Sequence, residues 1–304
     1  MTQSKRLVYF GNERLVSGLK HTELPILSAL HAHGYDIAAI VVHEKPSTSR
    51  NARQLEVVQF ANDHNIPVLS PTSADHIVPR LTDLGVDFAV LASYGSILSK
   101  RVLNVFEPVG VINIHPSLLP RYRGPTPIES SILSGDKETG VTIMKLSEAM
   151  DEGDIYAQSR IPVSQVDDKI SLYNKLAKIA AELLIDTLES ISNNQSTLTK
   201  QTNTDVSYTS RLKKQDGIIN PLTDTATDIE RQVRAYLNYP KSSLRLMDNS
   251  VIITSVKVVD SLSSSALTVQ CADETYLEIV QLIAPSGKTM SGSDYIRGYT
   301  KKDP

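Results

Sequence analysis

Asn113 and His115 stand two positions apart at the end of an apolar run that begins at Val111. In an extended chain, a spacing of two sends both side chains to the same side. The amide of Asn113 and a ring nitrogen of His115 can then donate to one point. Two converging donors stabilise a developing oxyanion, and a charged imidazole does so more strongly. Further along, Met150-Asp151-Glu152-Gly153-Asp154 reads as an acidic turn. Brought alongside, Asp151 would hold the His115 ring in place. The set suits acyl transfer to an amine, by direct attack because it contains no Ser or Cys for a covalent route. Each part also has a plainer reading. Asn113 can cap a strand end, His115 can be a satisfied core histidine, and Asp151 and Asp154 can be turn residues with Gly153 supplying the bend. The HxxxH, CxxC and EF-hand spacings are missing, so no metal is expected.

Such groups need a scaffold that delivers them to one edge. Short apolar runs at Arg6–Phe10, Ile37–Val42, Pro67–Leu69, Phe88–Ala92 and Gly110–Ile114 alternate with stretches of helical period. The first helix is expected after Thr22 as cap, with Pro25 in its first turn and Gly34 at its end. Others are expected around Ala52–Phe60 and Ile77–Leu84. Alternation of this kind implies crossover units and a mostly parallel twisted sheet, which binds ligands beyond the carboxyl ends of its strands. Val141–Leu146 and Ile155–Val163 add strands around the acidic turn, and a helix from Ile170 to Leu184 follows. The polar stretch 191–205 reads as a linker. The domains are then 1–190, catalytic, and 206–304, C-terminal. In the latter, Thr227 with Glu230 makes a capping-box pattern. Asp248-Asn249-Ser250 signals a hairpin, and several short strands suggest a small half-open barrel.

The chain has 304 residues, 40% hydrophobic and 21% charged, which suits two globular domains. A net charge of −3 excludes a polycation, so any nucleic-acid site must be a local patch. Cys271 is the only cysteine; an intramolecular disulfide is excluded and a small buried or half-buried residue is expected. The apolar N-terminal stretch is too short for a signal peptide, and no run reaches membrane-spanning length. A soluble, cytoplasmic protein with no membrane partner is expected.

The segment Asn113-Ile-His-Pro-Ser117-Leu-Leu-Pro120-Arg-Tyr-Arg-Gly124, followed by Gly135-Asp-Lys-Glu-Thr-Gly-Val-Thr-Ile-Met-Lys-Leu146 and Met150–Asp154, resembles the formyltransferases that use 10-formyltetrahydrofolate. The resemblance implies a Rossmann-like formyltransferase domain and an OB-like β-barrel after it. It implies Asn113, His115 and Asp151 as the catalytic set. It also places Ser117, Leu118, Leu119 and Pro120 in the folate site, with Tyr94, Gly95, Ile97, Leu98, Ala149 and Met150.

Several branches share this core. Phe10-Gly11-Asn12-Glu13-Arg14-Leu15 lacks the glycine-rich phosphate loop of glycinamide-ribonucleotide formyltransferases, which also have no second domain. Formyltetrahydrofolate dehydrogenases continue into further domains. The methionyl-tRNA formyltransferases fit best. Their second domain is echoed in Tyr208-Thr-Ser-Arg211-Leu-Lys213, in Val233-Arg-Ala-Tyr236 with Pro240, and in Leu282-Ile-Ala-Pro-Ser-Gly-Lys288-Thr-Met-Ser291. This branch implies transfer of a formyl group to the α-amine of initiator methionyl-tRNA, by a monomer. Arg50, Arg53, Arg211 and Lys213 are the candidate RNA contacts.

Three departures stand out. The family's glycine- and lysine-rich loop after strand two is shorter here, Glu44 to Arg53. The family's Trp beyond the linker is replaced by Pro221. From Asp205 onward, twelve Lys plus Arg face twelve Asp plus Glu, where a protein gripping phosphates usually has a basic excess. The alternatives are a formyltransferase for a nucleotide-linked amino sugar and a non-catalytic folate-binding protein. The Tyr208 and Lys288 segments speak against the first. The intact trio speaks against the second.

Overall fold

The computed structural model describes residues 5–43 and 55–299. The first domain contains β1 (Arg6–Gly11), α1 (Pro25–Ala32), β2 (Asp36–Val41), α2 (Glu56–Asp63), β3 (Val68–Leu69), α3 (Val78–Asp83) and β4 (Phe88–Ala92). It continues through α4 (Lys100–Leu103), β5 (Gly110–His115), α5 (Pro127–Leu133), β6 (Glu138–Lys145), β7 (Ile155–Pro162) and α6 (Lys169–Ser192).

The apolar runs fold as the central strands because they can be covered on both faces. The sheet order is β3-β2-β1-β4-β5-β6-β7. The first five strands are parallel; β6 adds antiparallel to β5, and β7 antiparallel to β6. Alternate side chains feed two cores. Leu7, Tyr9, Ile112 and Ile114 join the core built with α1 and α6. Val8, Phe10 and Val111 join the core that includes Leu81, Val102 and Phe106 on the opposite face. Asn113 and His115 follow Val111 in phase, where that second core gives way to a cavity.

Helix α6 is the long brace of the first core. Its start is fixed by a capping box: the Asp168 carboxylate accepts from the Ile170 and Ser171 amides, and Ser171 Oγ accepts from the Asp168 amide.

The second domain holds α7 (Ala226–Ala235), β8 (Ser242–Leu246), β9 (Asn249–Val259), β10 (Thr268–Gln270), β11 (Tyr276–Ile283), β12 (Thr289–Ser291) and α8 (Gly292–Tyr299). Its five strands make an antiparallel half-barrel, closed over Ile229, Val233, Leu277, Ile279 and Tyr295. Cys271 is buried there, as expected. No helix among the described residues is long and apolar enough to cross a membrane.

Local expectations shift in three places. Helix α7 is capped by Thr225, whose hydroxyl accepts from the Asp228 amide, so the Thr227–Glu230 pattern lies inside the helix. The hairpin turn is Met247-Asp248, one step earlier than the Asp248–Ser250 signal, because Leu246 pairs with Asn249. Thr22 does accept from the Leu24 amide, but it does not cap α1. The first amides of α1, on the buried Ile26 and Leu27, bond instead to the carboxylate of Glu13. That partner comes from the preceding loop, beyond the reach of a local capping pattern. Ala52 and the Glu44–Arg53 loop, with Arg50 and Arg53, lie outside the described residues.

Candidate active site

A cavity of about 540 Å³ opens beyond the carboxyl ends of β1, β4 and β5. That volume suits a small-molecule site. Asn113 and His115 form its floor, both more than nine-tenths buried. Asn113 is held in register between Leu91 of β4 and Met144 of β6. The nine-residue excursion 146–154 brings the acidic turn over the floor. It is closed at its base by the Lys145 amide donating to the Asp154 carbonyl at 2.9 Å.

Asp151 comes to rest with Oδ2 3.6 Å from His115 Nδ1. The same oxygen accepts from the Gly124 amide at 2.8 Å. On the other side of the ring, Nε2 lies 2.9 Å from the Tyr122 carbonyl, so this nitrogen carries a hydrogen and donates it. Nδ1 is therefore the ring nitrogen free to act at the cavity, beside a carboxylate. The bend differs from expectation. It is made by Asp151 itself, at φ 52°, in the left-handed region. Gly153 serves close approach instead: a Cβ there would fall 1.8 Å from the Lys145 carbonyl oxygen.

Most of the remaining expected site residues line the same cavity. Tyr94, Gly95, Ile97 and Leu98 form one wall, and Ala149 and Met150 face them. Ile97 and Met150 are strongly exposed, an apolar lip around a polar floor. Burial raises the Tyr94 hydroxyl above its ordinary range. The Ser117-Leu118-Leu119-Pro120 loop leaves directly from the floor. Only the preceding Pro116 reaches the cavity lining. Ser117 is fully buried and donates to the Arg121 carbonyl. Thr142 Oγ1 donates to the Ser117 carbonyl and accepts from the Leu119 amide. Leu118 packs toward Gly140. The loop is thus stitched to β6 behind the floor.

Of the candidate RNA contacts, Arg211 lines the cavity with Thr209 and Ser210, while Lys213 is exposed and outside it.

Sequence reading missed the opposite wall, Arg14 to Ser17. Arg14 pairs with Glu56 at 2.8 Å. The wall is strung between two buried carboxylates. Glu13, with no exposure, accepts from Tyr9 Oη and the α1 amides, and desolvation raises its pKa from 4.5 to about 7. Glu129 accepts from the Ser17 amide at 3.0 Å, and burial raises its pKa. Lys169 sits 3.9 Å from Glu129 and donates to the Tyr239 carbonyl of the second domain. Burial lowers its pKa to about 8. The two arginines that flank Tyr122 fare differently. Arg121 does reach solvent, bonded to Asp136, but Arg123 is 5% exposed and ion-paired to Glu152. A charge inside an otherwise helix-opening turn was the one available signal for it.

Residues 14–188 match the formyl transferase family profile, and residues 211–300 match the profile of the formyl transferase C-terminal domain. The chain is similar to the methionyl-tRNA formyltransferase of Coxiella burnetii (strain CbuK_Q154), 31% identical over 300 residues, covering 94% of this chain and 95% of that one. It is also similar to the methionyl-tRNA formyltransferase of Chloroflexus aggregans, 35% identical over 290 residues, covering 90% and 92%. Among solved structures, the N-formyltransferase of Helicobacter canadensis, crystallised with folinic acid and dTDP-3-aminofucose, superposes with a TM-score of 0.67. It covers 91% of this chain and 99% of its own, at 18% identity, a likeness of fold.

Proposed function

The chain belongs to the formyl transferase family, and on that premise we propose that it moves the formyl group of 10-formyltetrahydrofolate to the α-amine of initiator methionyl-tRNA. The observation that carries the chemistry is the meeting of three groups at one cavity floor: Asn113, His115, and an Asp151 carboxylate 3.6 Å from the ring. What carries the acceptor is similarity to relatives of that name along both domains.

The amine attacks the formyl carbon directly. Negative charge gathers on the formyl oxygen, where the Asn113 amide and the His115 Nδ1 hydrogen donate to it. Asp151 balances the ring's charge. It also takes part in moving the proton from the attacking amine to the departing folate nitrogen. The Tyr122 carbonyl fixes the ring's tilt by holding Nε2. The apolar lip of Ile97 and Met150 covers the flat folate ring, while Arg211 at the cavity takes a phosphate near the end of the RNA. The reading calls on no metal and on a cytoplasmic monomer.

The test is an acceptor panel. Purified protein with 10-formyltetrahydrofolate is offered charged initiator tRNA, UDP-amino sugars and dTDP-amino sugars in parallel. Label is expected on methionyl-tRNA. Transfer to an amino sugar, with none to the tRNA, would overturn the assignment.

A further inference from the structure

We propose that the segment joining the two domains is a working part of the active site, in which Gln201 and Tyr208, together with Arg123, are positioning residues that set the Asp151 carboxylate against His115. The inference rests on the catalytic role given to Asp151 above and deepens it.

The acidic turn has little packing of its own. Glu148, Ala149, Met150 and Glu152 are exposed, and Asp151 holds a left-handed backbone that an L residue keeps only when its surroundings impose it. The imposing contacts come from the joining segment. Gln201 Nε2 donates to the Asp151 carbonyl at 2.7 Å and to the Gly153 carbonyl at 2.9 Å. Gln201 Oε1 accepts from Arg123 Nε at 3.1 Å and Nη2 at 2.8 Å. The amide is thereby committed at both ends. Arg123 turns its remaining nitrogen to Tyr208 Oη at 3.0 Å and Glu152 Oε1 at 2.8 Å, and Tyr208 Oη in turn donates to Glu152. Three consecutive turn residues, 151 to 153, are held by this one cluster.

The same segment fixes the carboxylate's own donor. Residues 207–210 lie along residues 122–126 like a short strand. The Arg123 amide donates to the Ser207 carbonyl, the Thr209 amide to the Arg123 carbonyl, and Thr126 Oγ1 to the Ser210 carbonyl. Gly124, whose amide holds Asp151 Oδ2, has φ 108°, and a Cβ there would lie 2.7 Å from the Thr209 carbonyl oxygen. Only glycine allows this approach. Thr209, Ser210 and Arg211 then continue into the cavity wall. The segment is therefore a strap. One face holds the catalytic carboxylate, and the other lines the cavity.

Gln201→Glu tests the claim with little change of shape. It keeps the pairing with Arg123 but removes both donors and sets a carboxylate oxygen against two carbonyls. Expected is a fall in kcat of about 10- to 100-fold, the scale set by an ångström of misplacement. KM values should stay within about threefold and the melting temperature within about 3 °C. Tyr208→Phe removes one exposed hydroxyl, leaves folding intact, and should cost about threefold to tenfold in kcat. Both effects should vanish in an Asp151→Asn background measured with enzyme in excess, because a residue that acts through Asp151 has nothing left to act on. A merely structural role would make the losses multiply, which overturns the proposal. Wild-type kcat in both strap variants alongside an inactive Asp151→Asn would sink the strap alone. Wild-type turnover in Asp151→Asn would remove the reading beneath it as well.

Discussion

Glu13 ties strand β1, helix α1 and the Arg14–Ser17 wall together while carrying a carboxyl in an unexposed site. Its pKa stands at about 7 against 4.5 for the free group, with desolvation the largest cause and the Ile26 and Leu27 amides opposing it. The folded state therefore binds a proton more tightly than the unfolded chain. The stability this confers is complete below about pH 4.5 and is lost as pH rises through about 7. A shift of 2.5 units (7 − 4.5) corresponds to about 3 kcal/mol over the whole window. Between pH 5.5 and 7.5 the same relation gives a loss of roughly 2 kcal/mol. Glu13→Gln removes the titration. Urea unfolding of wild type and variant across this range should show the wild type losing about 2 kcal/mol more than the variant as pH rises. Parallel curves for the two proteins would refute the assignment of a buried, proton-holding Glu13.

Lys169 and Glu129 are both unexposed, 3.9 Å apart, and link the cavity wall to the second domain. Lys169→Met should destabilise by roughly 3–5 kcal/mol because it strands a buried carboxylate. Adding Glu129→Gln should restore part of that loss in thermal melts. Additive losses would show that the pair is uncoupled. Burial pushes the Cys271 thiol up. It should react slowly with a thiol-specific disulfide reagent at neutral pH in the folded chain and rapidly in urea. Equal rates would contradict its place in the half-barrel core.

The parallel sheet was legible because strands covered on both faces must be apolar where they are covered, and Phe88–Ala92 and residues 110–112 are. Asn113 and His115 were legible for the converse reason, as polar side chains in phase on a strand with no polar neighbours. Position along the chain carried no comparable signal for Glu13 or Gln201. Each acts by capping or bridging backbone groups far away in sequence, from α1 and from the acidic turn. A polar residue in a polar stretch looks the same whether it faces water or two carbonyls. The bonds that fix the SLLP loop were silent for a related reason: Ser117 and Leu119 reach the Arg121 carbonyl and the Thr142 hydroxyl, and sequence order does not show such partners. Hairpin and cap positions slipped by a residue or two because neighbouring Thr, Asp and Asn offer equivalent local patterns.

The central claim is that His115 and Asp151 act together on the formyl oxygen and the transferred proton. The most direct measurement is single-turnover formyl transfer to charged initiator tRNA by His115→Ala and Asp151→Asn, each checked for an unchanged melting temperature. Each variant is expected to lose roughly 10²- to 10³-fold in rate, the scale of a lost oxyanion donor. A folded variant of either kind that turns over within about threefold of wild type would contradict the account.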